Sequence, residues 1–145
     1  MTVKLEDTRG CMNFIIRRTS RMIGRHYDDA LRPHGLRSTQ FNVLAVLAQM
    51  GPTSLSVVAD VMAMERSALS RNLKPLERQG FVAIKPGTDK RTRAANVTSK
   101  GLRKLKKALP AWRSAQDELE ALIGTTDAKR LVNIVAKVAS RLTQV

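Results

Sequence analysis

Between Arg66 and Arg93 a basic, apolar-backed helical segment runs directly into two short β-forming stretches joined by a cationic loop. Few folds accommodate that order of elements. In Arg66-Ser67-Ala68-Leu69-Ser70-Arg71-Asn72-Leu73-Lys74 the helical period puts Leu69, Leu73 and Leu76 on one stripe. Arg66, Ser67, Ser70, Arg71, Lys74 and Arg78 then fall on the solvent side. Past Gly80, Phe81-Val82-Ala83-Ile84 and Ala94-Ala95-Asn96-Val97 read as strands around the turn-rich loop from Pro86 to Arg93. Short polar and cationic side chains on a helix fit a major groove, and a basic hairpin beside it can reach phosphates or a minor groove. The layout predicts a winged helix-turn-helix.

Charge supports a polyanionic partner. The 145 residues hold 26 Lys+Arg against 12 Asp+Glu, a formal net charge of +14. Such an excess attracts nucleic acid at any physiological pH. With 43% hydrophobic residues the chain can build a core, and with 3% aromatic that core must come from aliphatic side chains, which suits helix on helix. The length fits one domain. The polar start, Met1 to Gly10, has no apolar run of the kind that enters a membrane or marks a secreted chain, so a cytoplasmic protein without a membrane partner is expected. Cys11, the one cysteine, has no intrachain partner and is compatible with a reducing compartment.

Along the chain, Cys11 to about Leu31 reads as a long helix stopped by Pro33 and Gly35. Ser38 is the expected cap of a second helix carrying Phe41 and Leu44, ended by Gly51-Pro52. Ser54 is the expected cap of a third, short one with Leu55, Val58, Ala59 and Met62. The fourth, about 65–79, contains Pro75, which should kink it or weaken its last turns. From Thr98 a fifth helix carries Leu102, Leu105, Leu109, Trp112, Gln116, Leu119 and Ile123 at alternating three- and four-residue steps, with Pro110 inside it. Gly124 breaks it before a last helix with Leu131, Val132, Val135 and Leu142. The expected fold is mainly α with a small β-hairpin wing. It is one domain over 1–145, with a DNA-binding lobe at 36–98 and a helical dimerisation region from 8–35 and 99–145.

These residues resemble the MarR family of bacterial transcriptional regulators over nearly the whole chain. The matching parts are the long first helix, Gly35-Leu36-Arg37-Ser38-Thr39-Gln40-Phe41, Leu69-Ser70-Arg71-Asn72-Leu73, and Leu76-Glu77-Arg78-Gln79-Gly80. The most specific piece is the wing, Asp89-Lys90-Arg91, followed by Thr98 and Gly101. The resemblance implies a homodimer on a pseudo-palindromic operator, usually a repressor, released by a ligand or an oxidant. It also implies a minor-groove role for Arg91 and an Asp89 that shapes the wing by pairing with a nearby arginine.

The residues themselves agree with a two-fold dimer whose recognition helices enter successive major grooves about 34–36 Å apart. Candidate DNA contacts are Arg66, Ser67, Ser70, Arg71 and Lys74 on the helix, and Asp89, Lys90, Arg91 and Arg93 on the wing, with Lys85 beside them. Arg17, Arg21 and Arg25 form a stripe on the first helix better suited to solvent or a partner chain than to DNA.

For a small anionic aromatic effector, the candidate wall is Met12, Ile16, Phe41, Leu44, Trp112 and Gln116, with Arg18 or His26 as a polar hook. Cys11 invites comparison with the peroxide-sensing OhrR-like branch. Aligning Tyr27 and Gln40 on that pattern puts the sensing position at Asn13, however, and the second tyrosine at Ser38. Two residues of offset turn a helical side chain to the other face, so Cys11 is a weak redox candidate. No metal site is expected, since His26 and His34 match no compact ligand spacing. No Gly-rich phosphate loop or patterned carboxylate pair suggests a cofactor or an enzyme. The rival reading is a non-specific basic architectural DNA- or RNA-binding protein. A recognition helix punctuated with Ser and Asn, and the scarcity of aromatics for stacking, argue against it.

Overall fold

The computed structural model describes residues 4–89 and 91–143. After a short 3₁₀ turn at Leu5–Thr8, helix α1 spans Met12–Leu31. Its first half is exposed throughout, and Leu31 is its one fully buried residue. Pro33 lies in a 3₁₀ turn, Arg32–His34, closed by Gly35 in the left-handed conformation (φ 64°). Proline ends the helix and glycine reverses the chain, as their backbones dictate.

Helix α2 spans Ser38–Met50 and is surrounded on most sides, burying Phe41, Val43, Leu44 and Leu47. Ser38 is not its cap. The Gln40 side chain reaches back to accept from the Arg37 amide (3.0 Å), and the Ser38 amide donates to Asp28 Oδ1 (2.6 Å), which ties α2 to the end of α1. Ser54 does cap α3 (Leu55–Val61), accepting from the Val57 amide at 3.3 Å. The turn into α4 (Arg66–Arg78) passes through Ala63 at φ 48°, a left-handed position held by a residue with a side chain. Pro75 lies inside α4 without ending it. Its missing amide falls past the first two turns, and Leu73 and Leu76 on either side are buried in the core.

Strands β2 (Val82–Pro86) and β3 (Arg93–Val97) pair antiparallel with Val82 opposite Val97 and Pro86 opposite Arg93. A two-residue strand absent from the sequence reading, β1 (Thr53–Ser54), adds to the other edge of β3, giving the order β1-β3-β2. It fastens the start of α3 to the wing. Helix α5 (Ser99–Ile123) starts at Thr98, whose hydroxyl accepts from the Gly101 amide (3.0 Å) and donates to the Gly80 carbonyl (2.6 Å). Helix α6 (Thr125–Leu142) follows after the single residue Gly124 at φ 84°.

The core is aliphatic and joins α2, α3, α4, the sheet and the first half of α5, with Leu31, Leu44, Leu47, Val58, Leu69, Leu73 and Leu76 almost wholly enclosed. The face that α5 turns to it takes in only part of the helix-packing stripe read from the sequence. Gly101, Ala108 and Ala115 are buried and Leu105 and Trp112 pack against the core, whereas Leu102 and Leu109 are exposed. Small residues let the helix axis approach closely, so they take the inner line and push the leucines outward. α6 has no buried residue, and Leu122, Ile123, Leu131, Val132, Ile134 and Val135 are all exposed in the single chain.

Candidate nucleic-acid interface

The recognition helix is fixed from behind. Leu69, Leu73 and Leu76 are 1%, 1% and 0% exposed, so rotation of α4 would pull three leucines out of the core. Arg66, Ser67, Ser70, Arg71, Lys74 and Arg78 are all exposed on the opposite side, as the periodicity requires. Asn72 folds back, one N–H of its side-chain amide donating to the Ala68 carbonyl (2.9 Å).

The wing is shaped by hydrogen bonds within its own loop. Gly87 and Thr92 close the strands (Gly87 N to Thr92 O, 2.7 Å), and both the amide and the hydroxyl of Thr92 donate to the Asp89 carbonyl at 2.8 Å. Asp89 Oδ1 accepts from the backbone amide of Arg91 at 3.0 Å. The expected Asp89–arginine ion pair is not formed among the described residues. A carboxylate two residues before a free amide makes the tighter local turn instead. The arginine side chains are thereby left unneutralised, with Arg91 and Arg93 exposed at the loop. Lys85 is exposed on β2, and Lys90 lies outside the described residues.

Three elements meet at a cleft of about 240 Å³ lined by Ser54, Leu55, Ser56, Arg66, Leu69, Ser70, Arg91, Thr92 and Arg93. The Arg66 guanidinium donates to Ser56 Oγ, so α3 holds the first cation of α4 in place. Three arginines, three serine hydroxyls and no carboxylate line this space, which suits an anion the size of a phosphodiester. Sequence reasoning assigned Ser54 only a capping role and missed Ser56. Two hydroxyls at the start of a short helix are the available signal, and only the β1–β3 pairing brings them to the arginines.

The candidate effector residues are only partly brought together: Phe41, Leu44, Trp112, Gln116 and His26 gather between α1, α2 and α5, with Met12, Ile16 and Arg18 left outside. Phe41 and Leu44 are buried in the core. Trp112 stacks on Phe41 (ring centroids 5.8 Å, planes 9° apart) and on Tyr27 (6.3 Å, 25°), and the three rings fill the space between α1, α2 and α5. His26 Nε2 lies 3.1 Å from the Ala115 carbonyl and 3.5 Å from Glu118, engaged with α5. The Tyr27 hydroxyl donates to Gln116 Oε1, and Gln116 in turn donates to Glu120 (2.8 Å). Burial, with the Glu120 carboxylate nearby, pushes the Tyr27 phenol above its usual range. Met12, Ile16 and Arg18 are exposed on the outer half of α1. A separate cavity of about 290 Å³ opens between α5 and α6, lined by Gln116, Glu120, Ala128, Lys129, Val132 and Asn133. Cys11 is exposed at the start of α1 rather than buried.

Comparison with known proteins bears on this geometry. The MarR family model matches residues 34–92, from the turn before α2 to the end of the wing loop. The DNA-bound transcriptional regulator MosR of M. tuberculosis is 35% identical, aligns over 91% of this chain and 98% of its own, and superposes with a TM-score of 0.78. The chain belongs to the MarR family. It is therefore a DNA-binding transcriptional regulator of a non-enzymatic family, with the MarR winged helix-turn-helix. YwoH of Bacillus subtilis, an HTH-type transcriptional regulator, is 28% identical over 106 residues, 73% of this chain and 77% of YwoH. The MarR fold is shared with CouR from Rhodococcus jostii RHA1, a structure bound to p-coumaroyl-CoA (21% identical, 90% of this chain and 92% of that one, TM-score 0.78). No helix among the described residues is long and apolar enough to cross a membrane.

Proposed function

We propose that this MarR-family protein is a repressor that binds a pseudo-palindromic operator as a homodimer in the cytoplasm. The observation that carries the reading is the convergence of the exposed face of α4 with the Arg66–Arg91–Arg93 cleft. Ser67, Ser70 and Arg71 meet base edges, Arg66 and Lys74 the phosphates, and Arg91 the minor groove, with Arg93 and Lys90 beside it. Asp89 contributes by fixing the loop. The dimer is supported by the apolar faces that residues 8–35 and 99–143 leave uncovered, among them Met12 at 62%, Phe14 at 63%, Leu122 at 77% and Val132 at 62% exposure. A small anionic effector that lowers operator affinity completes the proposal, supported by the fold shared with CouR.

The test is selection of bound sequences from a random duplex pool at physiological salt against excess competitor. Enrichment of an inverted repeat with half-sites about one helical turn apart is expected. Tight binding without enrichment would replace this reading with the architectural one.

A further inference from the structure

We infer that the first two turns of α5 form a second DNA-binding surface, which engages the duplex flanking the operator half-site. Lys100, Arg103, Lys104 and Lys107 stand at i, i+3, i+4 and i+7, which is one face of a helix. That face lies beside the buried line Gly101–Ala108–Ala115, and no ion pair among the described residues involves any of the four. From Arg91 to Gln116 the chain has no carboxylate at all.

The stripe does not serve the helix that carries it. Cations at these spacings repel one another, and cations in the first turns oppose the helix dipole, whose positive end is there. It is also anchored. Lys100 Nζ donates to the Gln79 carbonyl (2.8 Å) at the end of α4, and the Lys100 and Lys104 ammonium groups lie 5.4 and 5.5 Å from the centre of the Phe81 ring. Two of the four cations are thus held against Gln79 and Phe81, just past the recognition helix, leaving Arg103 and Lys107 exposed and free of such contacts. Seven helical residues span about 10 Å, roughly three phosphate steps along one strand. Contact with Gln79, just past the exposed Lys74 and Arg78 of α4, selects flanking DNA over an acidic protein as the occupant.

The inference rests on the operator-binding reading, and the experiment separates the two. Wild-type protein and the double variant Arg103→Gln/Lys107→Gln are titrated against the selected operator in a minimal duplex and in one extended by a helical turn on each side. Wild type should gain affinity on the long duplex. The variant should match wild type on the short duplex and lose the gain. Its slope of log affinity against log salt on the long duplex should be shallower by about 2, which is roughly tenfold in affinity between 50 and 200 mM salt. A wild-type affinity and salt slope independent of duplex length, or a variant that keeps the gain, would overturn the inference and leave the stripe to an acidic protein. A variant weakened equally on both duplexes would also overturn it, by placing the two residues inside the operator contact. Failure of the operator reading itself looks different: neither protein would prefer the selected sequence to any other duplex.

Discussion

Gly101 and Phe81 are packed backbone to backbone. A Cβ on Gly101 would lie 2.8 Å from the Phe81 carbonyl carbon and closer still to its oxygen. The same Phe81 carbonyl accepts from the Thr98 amide at 3.0 Å, so it cannot swing away without releasing the start of α5.

Gly101→Ala should therefore destabilise the protein by about 2–3 kcal/mol, as overpacking against fixed backbone does. Denaturant unfolding followed by circular dichroism checks this, and a variant within 0.5 kcal/mol of wild type, about the scatter of surface substitutions, would show that the contact yields.

Ala63→Gly should act in the opposite direction. An alanine at φ 48° carries a left-handed strain of about 1 kcal/mol that glycine does not. A rise in the unfolding midpoint is expected, with operator affinity unchanged, because α4 is held by its leucines rather than by this turn.

Arg91→Ala should weaken operator binding by about 1–3 kcal/mol without altering the oligomeric state, measured by fluorescence anisotropy alongside sedimentation. Ser56→Ala, which frees Arg66 from α3, should cost less, about 0.5–1.5 kcal/mol. Unchanged affinity in both variants would remove the cleft from the DNA interface.

Tyr27 supplies a pH prediction. Its folded pKa lies above the unfolded value near 10, so the folded state holds the phenolic proton more tightly. The resulting stability is fully present below pH 10 and is lost as pH rises through the folded value. Tyr27→Phe should lose stability less steeply than wild type above pH 10, by chemical denaturation at each pH. Equal slopes would mean that the phenol ionises as freely in the folded chain as in the unfolded one.

The recognition helix was legible because its message is local. Three leucines at helical spacing and cations opposite them need no tertiary information. The chain stops at Pro33-His34-Gly35, Gly51-Pro52 and Gly124 were legible for the same reason. β1 was not, because two residues form a strand only through pairing with β3, some forty positions later. The inner face of α5 was legible only in part: Leu105 and Trp112 carry a hydrophobic signal, whereas glycine and alanine carry little, yet small side chains allow the closest approach. Asp89 was assigned an arginine partner by resemblance, and the loop instead satisfies its carboxylate with the Arg91 amide. In the site, Ser56 was missed because its value lies in where Arg66 comes to rest, which is a tertiary fact.

One residue, Gly124, separates α5 from an 18-residue helix that touches α5 but has no floor beneath its exposed apolar side chains. In the proposed reading a second chain provides that floor, and only the pair holds two reading heads at a fixed spacing. Assembly then precedes occupancy, and while the protein is scarce the filled fraction of operator rises with the square of chain concentration. A modest change in synthesis, or dilution by growth, would move the controlled gene across its range more abruptly than a regulator acting as a single chain could.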